Sequence, residues 1–370
     1  MNSKNFLLIL SLLLLSSCGG FEKEKTILLT KNESKDLVTS FNIEKDQAEL
    51  FKEKEVQTDE LEKKIEDTKN QKHSTKLPKT KKSSKQELAK QASAIAAKES
   101  IQAKASVSPQ FSYPADYPQD LKDYDSVSTS IWGKFKPLFY KGEQSIMAIS
   151  YLGVTAGYIT ISAQDIVKIS DKSTFHYFAR FKSKEAYRYF YWLDDTIETF
   201  IEKSTFLPLK YALIQREKNQ NVDDLELFDF KKLKTYHWYK RVKEGNNKVE
   251  KIENYIPRFT QDSFSALQFV RGLPLKKGDL YDFPVVTRGK PWLLKIEVMG
   301  EESISVNGSD IQAYRLKAET HFPGVLQKSG DINFWYSTDE TRKLVKFQAK
   351  VKLGSIYGEL VEYKPGVLVK

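Results

Sequence analysis

Few side chains in this sequence could do chemistry. The 370 residues hold one cysteine, Cys18, and four histidines, His73, His176, His237 and His321. A single thiol excludes an internal disulfide and any cysteine-cluster zinc site. The histidines are dispersed. His321-Phe322-Pro323-Gly324 invites a metal assignment, but no second histidine or carboxylate stands at ligand spacing, so a structural histidine is the better reading. Asp194-Asp195 could serve general acid–base catalysis, yet it lies between two strand patterns and reads as a turn. Nucleophile elbows, HExxH, glycine-rich phosphate loops and CxxC pairs are all missing. No catalytic residue, metal or cofactor is expected, and the chain reads as a non-enzyme.

The cysteine has a context. Lys4 precedes an unbroken apolar run from Phe6 to Leu15, and the small pair Ser16-Ser17 leads to Cys18. Ten helical residues span about 15 Å, half of a hydrocarbon core of about 30 Å, so the run is a secretory signal and not a membrane span. Leu15-Ser16-Ser17-Cys18 resembles the bacterial lipobox. That resemblance implies removal of residues 1–17, a diacylglyceryl thioether on Cys18 and acylation of the new N-terminus by a palmitate-type chain. Two or more acyl chains give stable anchoring, at about 0.8 kcal/mol per buried CH₂. Gly19 replaces the Asp that retains such proteins at the inner membrane, which favours the outer membrane, facing the periplasm.

Residues 18–125 read as a charged tether, disordered or partly helical. The first 110 residues contain four Phe and no Tyr, Trp or Arg, too little apolar surface to offset ordering entropy. Ten acids oppose five lysines over 44–67, and eight lysines oppose Glu87 alone over 69–90. The lysine run reads as solvated linker, with contact to phosphate-bearing envelope polymers or headgroups as the alternative. Secretion argues against nucleic acid. A coil of about ninety residues has an r.m.s. reach of roughly 50 Å, so reach away from the bilayer is the expected role.

From 126 to 370 the period becomes two. Phe175, Tyr177, Ala179 and Phe181 alternate with His176, Arg180 and Lys182, and Val345, Phe347 and Ala349 alternate with Lys346, Gln348 and Lys350. Similar runs near 144–151, 157–162, 187–193, 196–202, 208–216, 225–230, 233–242, 292–299, 310–318, 332–337 and 356–363 are separated by turn residues such as Asn307-Gly308. The pattern predicts a mainly β domain: an antiparallel meander curled into a barrel or half-barrel. One segment departs from it. Asp262 as N-cap, Phe264, Leu267 and Arg271 on one side and Gly272 at C′ predict a short helix over 262–271, plugging one side of the curved sheet.

The same residues carry a family likeness. Tyr140-Lys141-Gly142-Glu143 with Tyr151, Gly153 and Gly157 resembles the start of the envelope family known as domain of unknown function 3108. So do Asp262, Ser265, Arg271, Pro274 and Gly278, then Trp335-Tyr336-Ser337-Thr338-Asp339, then Gly354-Ser355-Ile356 with Leu360. The resemblance covers about 230 residues and implies an exported β-rich protein of Gram-negative envelopes, with no established activity or catalytic residue. It departs at Tyr140, where Phe is usual, and in the long preceding segment. Arg271 with an acid such as Glu143, Asp262 or Asp339 suggests a buried ion pair, read as structural.

Two aromatic clusters remain, Tyr187 to Trp192 and Tyr236 to Tyr239. Strands carrying them are covered on both faces or expose an aromatic surface to a partner. The expected function is non-catalytic binding of a lipid or other apolar ligand in envelope assembly or transport, with the membrane held through acylated Cys18. The alternative is a scaffold docking another envelope protein or peptidoglycan, to which Lys346, Lys350 and Lys352 would suit an anionic partner. The sequence singles out no ligand-binding residue.

Overall fold

The computed structural model describes residues 33–55, 112–189, 191–321, 329–351 and 353–369. The chain begins with helices α1 (Glu33–Ser40) and α2 (Lys45–Leu50) and the short strand β1 (Glu53–Glu55). Helix α3 (Gln119–Trp132) follows Pro118. Next come β2 (Tyr140–Lys141), β3 (Gln144–Tyr151), β4 (Val154–Ala163), β5 (Val167–Ile169) and β6 (Lys172–Ser183). β7 (Asp194–Glu202), β8 (Pro208–Glu217), β9 (Gln220–Asp229), β10 (Lys234–Val242) and β11 (Lys248–Tyr255) continue the meander. After β12 (Gln261–Asp262) and helix α4 (Ser265–Arg271) it resumes with β13 (Leu280–Thr287), β14 (Lys290–Val306), β15 (Ser309–His321) and β16 (Ser329–Ser337). β17 (Leu344–Lys350), β18 (Ser355–Lys364) and β19 (Val367–Leu368) complete it.

Among the described residues seventeen strands form one sheet. Its pairings are antiparallel except β12 with β13, so the sheet is mixed, and it curls without closing. β18 pairs with β3, which brings the late strands beside the early ones. Right-handed twist accumulated over so many strands bends the sheet around its largest apolar cluster, with smaller buried clusters beside it. Mainly β, with short helices, is the architecture the alternating sequence predicts.

The interior is filled from within. Trp132 at the end of α3 stacks on Phe269 of α4 with centroids 4.3 Å apart, and Phe135 stacks on the other flank at 4.4 Å. Phe206 and Phe283 extend the cluster, and Phe139 stacks on Phe175 at 4.3 Å. Helix α4 is thus the expected plug, capped by Asp262, whose Oδ1 accepts from the N–H groups of Phe264 (2.8 Å) and Ser265 (2.7 Å). Gly272 is not left-handed (φ −87°). It is required because a Cβ would lie 2.2 Å from the Lys136 carbonyl and 2.3 Å from the Phe135 ring.

Four expectations need correction. Residues 33–55 fall within the expected tether but fold onto the sheet. Leu37 and Phe51 are buried with Ile169, Phe200, Leu209 and Trp238, and β1 pairs with β5. The outer faces of β8 to β10 are apolar and need that cover. Residues 33–55 accordingly belong to the same compact unit as 118–370. The expected boundary at 126 falls inside α3, which is anchored by buried Leu121 and Ile131. The run 187–193 is not a strand: a 3-10 turn over Glu185–Tyr187 and a Tyr191 N–H to Tyr187 carbonyl bond (2.7 Å) reverse the chain before a ladder can form. Asp194-Asp195 is not a turn either. It opens β7, because Arg180 grips Asp194 with two 2.6 Å bonds and Asp195 accepts from the Arg216 N–H at 2.9 Å. The expected signal segment 1–17, Cys18 and the lysine run 69–90 lie outside the described residues.

Candidate functional site

Part of the family resemblance, Tyr140 to Glu143, Arg271 and the loop at Asp339, converges where α4 ends on the sheet. Gly142 (φ +81°) takes the left-handed turn that delivers Glu143 to the start of β3. Arg271, the last residue of α4, meets the Glu143 carboxylate through both terminal nitrogens at 2.9 Å. Its Nη2 also donates to the Thr341 carbonyl (2.6 Å), and its Nη1 to Gln268 Oε1 (3.2 Å). Tyr363 donates its hydroxyl to Glu143 Oε1 at 2.8 Å. Both ends of the ion pair are buried. Burial opposes the guanidinium charge, but Glu143 outweighs it and holds the Arg271 pKa above its ordinary value.

Asp339 orders the adjoining loop. Its Oδ1 accepts from the Thr341 N–H at 3.0 Å and its Oδ2 pairs with Lys343. Burial pushes the carboxyl up, yet Lys343 and Thr341 prevail and lower its pKa to about 2. A cavity of about 30 Å³ lies here, lined by Glu143, Tyr177, Gln268, Arg271, Tyr336 and Lys343 among others. It has room for about one water molecule and no acyl chain.

A second polar cluster sits on the inward face of β9 and β10. His237 Nε2 is 3.0 Å from Asp224 Oδ1, and Arg288 Nε is 3.5 Å from Asp224 Oδ2. Glu226 accepts from the Thr235 hydroxyl (2.8 Å) and from the Gly289 N–H (2.9 Å). Arg288 and Gly289 form the tip of the β13–β14 hairpin, so these acids fasten that tip across the sheet. Burial raises Glu226 to about 7, with Asp224 adding repulsion. Burial works against the His237 imidazolium, but the bond to Asp224 leaves its pKa raised. Among the described residues no group of three or more His, Cys, Asp or Glu side chains could hold a metal ion.

The remaining expectations resolve residue by residue. His176 is buried against Glu198 at 2.8 Å and stacks on Phe200, and His321 ends β15. His73 lies outside the described residues. Asp262 caps α4 and does not pair with Arg271; burial raises its pKa to about 6 against the opposing bond from Thr199. Strand β10 is covered on both faces, Tyr236 and Trp238 under residues 33–55 and Tyr239 inward. Lys346 is engaged by Glu359 at 2.6 Å, and Lys352 is outside the described residues. The sequence reading missed Tyr363, Thr341, Asp224, Glu226 and Arg288. The available signal was polar residues at alternate positions of adjacent strands: Asp224 and Glu226 against Thr235, His237 and Tyr239.

The family model described as Protein of unknown function (DUF3108) matches residues 147–361. The chain belongs to that family. Among solved structures it is similar to a beta-barrel-like protein of domain of unknown function DUF1849 from Brucella abortus. That match has a TM-score of 0.40 and 11% identity, covering 61% of this chain and 98% of that one. It is also similar to a protein from Parabacteroides distasonis ATCC 8503 described as a "putative lipoprotein", with a TM-score of 0.29 and 11% identity over 62% of this chain and 99% of that one. No curated protein matches the chain significantly. No helix among the described residues is long and apolar enough to cross a membrane.

Proposed function

We propose that this protein is a non-catalytic lipoprotein of the bacterial envelope, held by acylated Cys18, whose β domain acts through its surface as an interaction or scaffold module. The observation that carries this reading is the filled interior. Phe135, Phe206, Phe269 and Phe283 occupy the space that an acyl-chain carrier of curled-sheet type would leave open, and the cavity beside Arg271 holds about 30 Å³. The lipobox supports the anchor, and the Gly19 after it supports the outer membrane. Filling by its own side chains disfavours enclosure of a lipid and favours docking of an envelope protein or peptidoglycan.

Native mass spectrometry of the mature chain, extracted from membranes, tests the choice. A mass equal to the polypeptide plus the acyl groups of its anchor supports the surface role. A further co-purifying lipid, extractable into organic solvent, would overturn it in favour of a carrier.

A further inference from the structure

Two hairpin tips at one end of the sheet carry exposed leucine, and at one of them turn chemistry favours another residue. Leu152 (φ +49°) and Gly153 (φ +79°) join β3 to β4, both in the left-handed region. Asparagine or glycine is preferred at such a first position, and leucine is strained there. The β14–β15 tip, at the opposite strand end, adopts the same geometry with the favoured pair, Asn307 (φ +50°) and Gly308 (φ +76°). Leu152 is 62% exposed, and Leu353 in the β17–β18 tip is 75% exposed. The two tips adjoin, since Ile356 pairs with Tyr151 and Leu152 lies beside Gly354. Neither leucine is buried in the core.

The same end continues through the β6–β7 connection, where Tyr189 is 82% exposed. It then reaches the β8–β9 turn, where Lys218 donates to the Tyr189 carbonyl. Strand order makes these four connections consecutive along the sheet. Lys184, Arg188 and Lys218 stand in them, with Glu185 as the acid. Apolar tips, an exposed tyrosine and basic side chains at one strand end match a bilayer interface. Leucines enter the acyl boundary, the ring sits at headgroup depth and the cations meet anionic headgroups.

Chain length points the same way. Helix α1, the first described element, begins at Glu33, so residues 19–32 are all the chain between it and Cys18. Fourteen residues fully extended span at most about 50 Å. An anchor at Cys18 therefore keeps this unit close to the bilayer, not at the end of the whole stretch 18–125.

We propose that the strand end bearing Leu152, Leu353 and Tyr189 seats on the anionic phospholipid surface that holds Cys18. The proposal rests on the lipid-anchor reading above. The test uses the full mature chain reconstituted into phosphatidylcholine vesicles with or without phosphatidylglycerol. Acylation occupies the only native cysteine, so one introduced cysteine, Leu353→Cys or Asn307→Cys, takes an environment-sensitive fluorophore.

A blue shift at 353 that grows with phosphatidylglycerol, with none at 307, is the expected result. Leu152→Asn should lower the ratio of seated to unseated label by about tenfold while Tm stays level or rises, because asparagine suits the turn. Equal response at both ends would overturn the proposal. So would a fall in Tm with Leu152→Asn, which would assign the leucine to the fold. No shift in either vesicle would also overturn it and leave a protein as the occupant. Flotation of the same samples reads the anchor separately: a chain that does not float refutes acylation, and the strand end is then read with vesicles in excess.

Discussion

At the scale of single residues, the buried Arg271–Glu143 pair fastens α4 to the sheet. Removing one partner of such a pair leaves an uncompensated buried charge and costs about 3–5 kcal/mol. Arg271→Gln should therefore destabilise the protein by about that amount in urea titration, and Glu143→Gln by a similar amount. The double variant should cost well under the sum, since each single change leaves a charge that the other removes. Additive losses would show that the two side chains act on stability independently. The sequence names these residues but does not show that they meet. Glu143 and Arg271 lie 128 positions apart, and only chain folding brings a left-handed turn and a helix end to 2.9 Å.

At the scale of elements, residues 33–55 behave as part of the sheet. Phe51 and Leu37 cover an outer face that includes Phe200, Leu209 and Trp238. Glu53 pairs at 2.6 Å with Lys210, which is buried. Deleting residues 33–55 should expose that face and strand the Lys210 charge. Expected outcomes are a Tm lower by more than 5 °C, from the loss of about 3 kcal/mol or more, and new binding of a hydrophobic dye. An unchanged Tm would return the segment to the tether. The low aromatic content of the first 110 residues hid this element. A short amphipathic segment has too little apolar surface to fold alone, and its partner face belongs to strands more than 100 residues later. The strands themselves were legible because alternation is a local signal. The aromatic run 187–193 misled because its alternation ends in a chain reversal that only backbone bonding reveals.

At the scale of the whole molecule, buried acids set the pH dependence. Glu226 and Asp195 are raised to about 7 and Asp262 to about 6. A carboxyl with a raised folded pKa binds its proton more tightly in the native state. Its contribution is thus complete below the unfolded value near 4 and is lost as pH rises through 6 to 7. His237, also raised, loses its contribution in the same direction. Asp339, lowered to about 2, acts oppositely: it stabilises above about 4 and loses that contribution as pH falls toward 2. Tm should accordingly peak near pH 5, fall toward pH 8 and fall again below pH 4. Glu226→Gln should flatten the alkaline slope. A Tm that rises steadily from pH 5 to 8 would contradict this assignment.

What the sequence determined by itself was local or compositional. Strand periodicity, the α4 segment and the family motifs each depend on neighbouring residues, so they can be read along the chain. What the tertiary structure decided was non-local. It set the packing of 33–55, the grip of Arg271 on Glu143, the acids fastening Arg288 and Gly289, and the filling of the interior by α4. Each of these joins segments that are distant in sequence through contacts whose energy exists only once the sheet has curled.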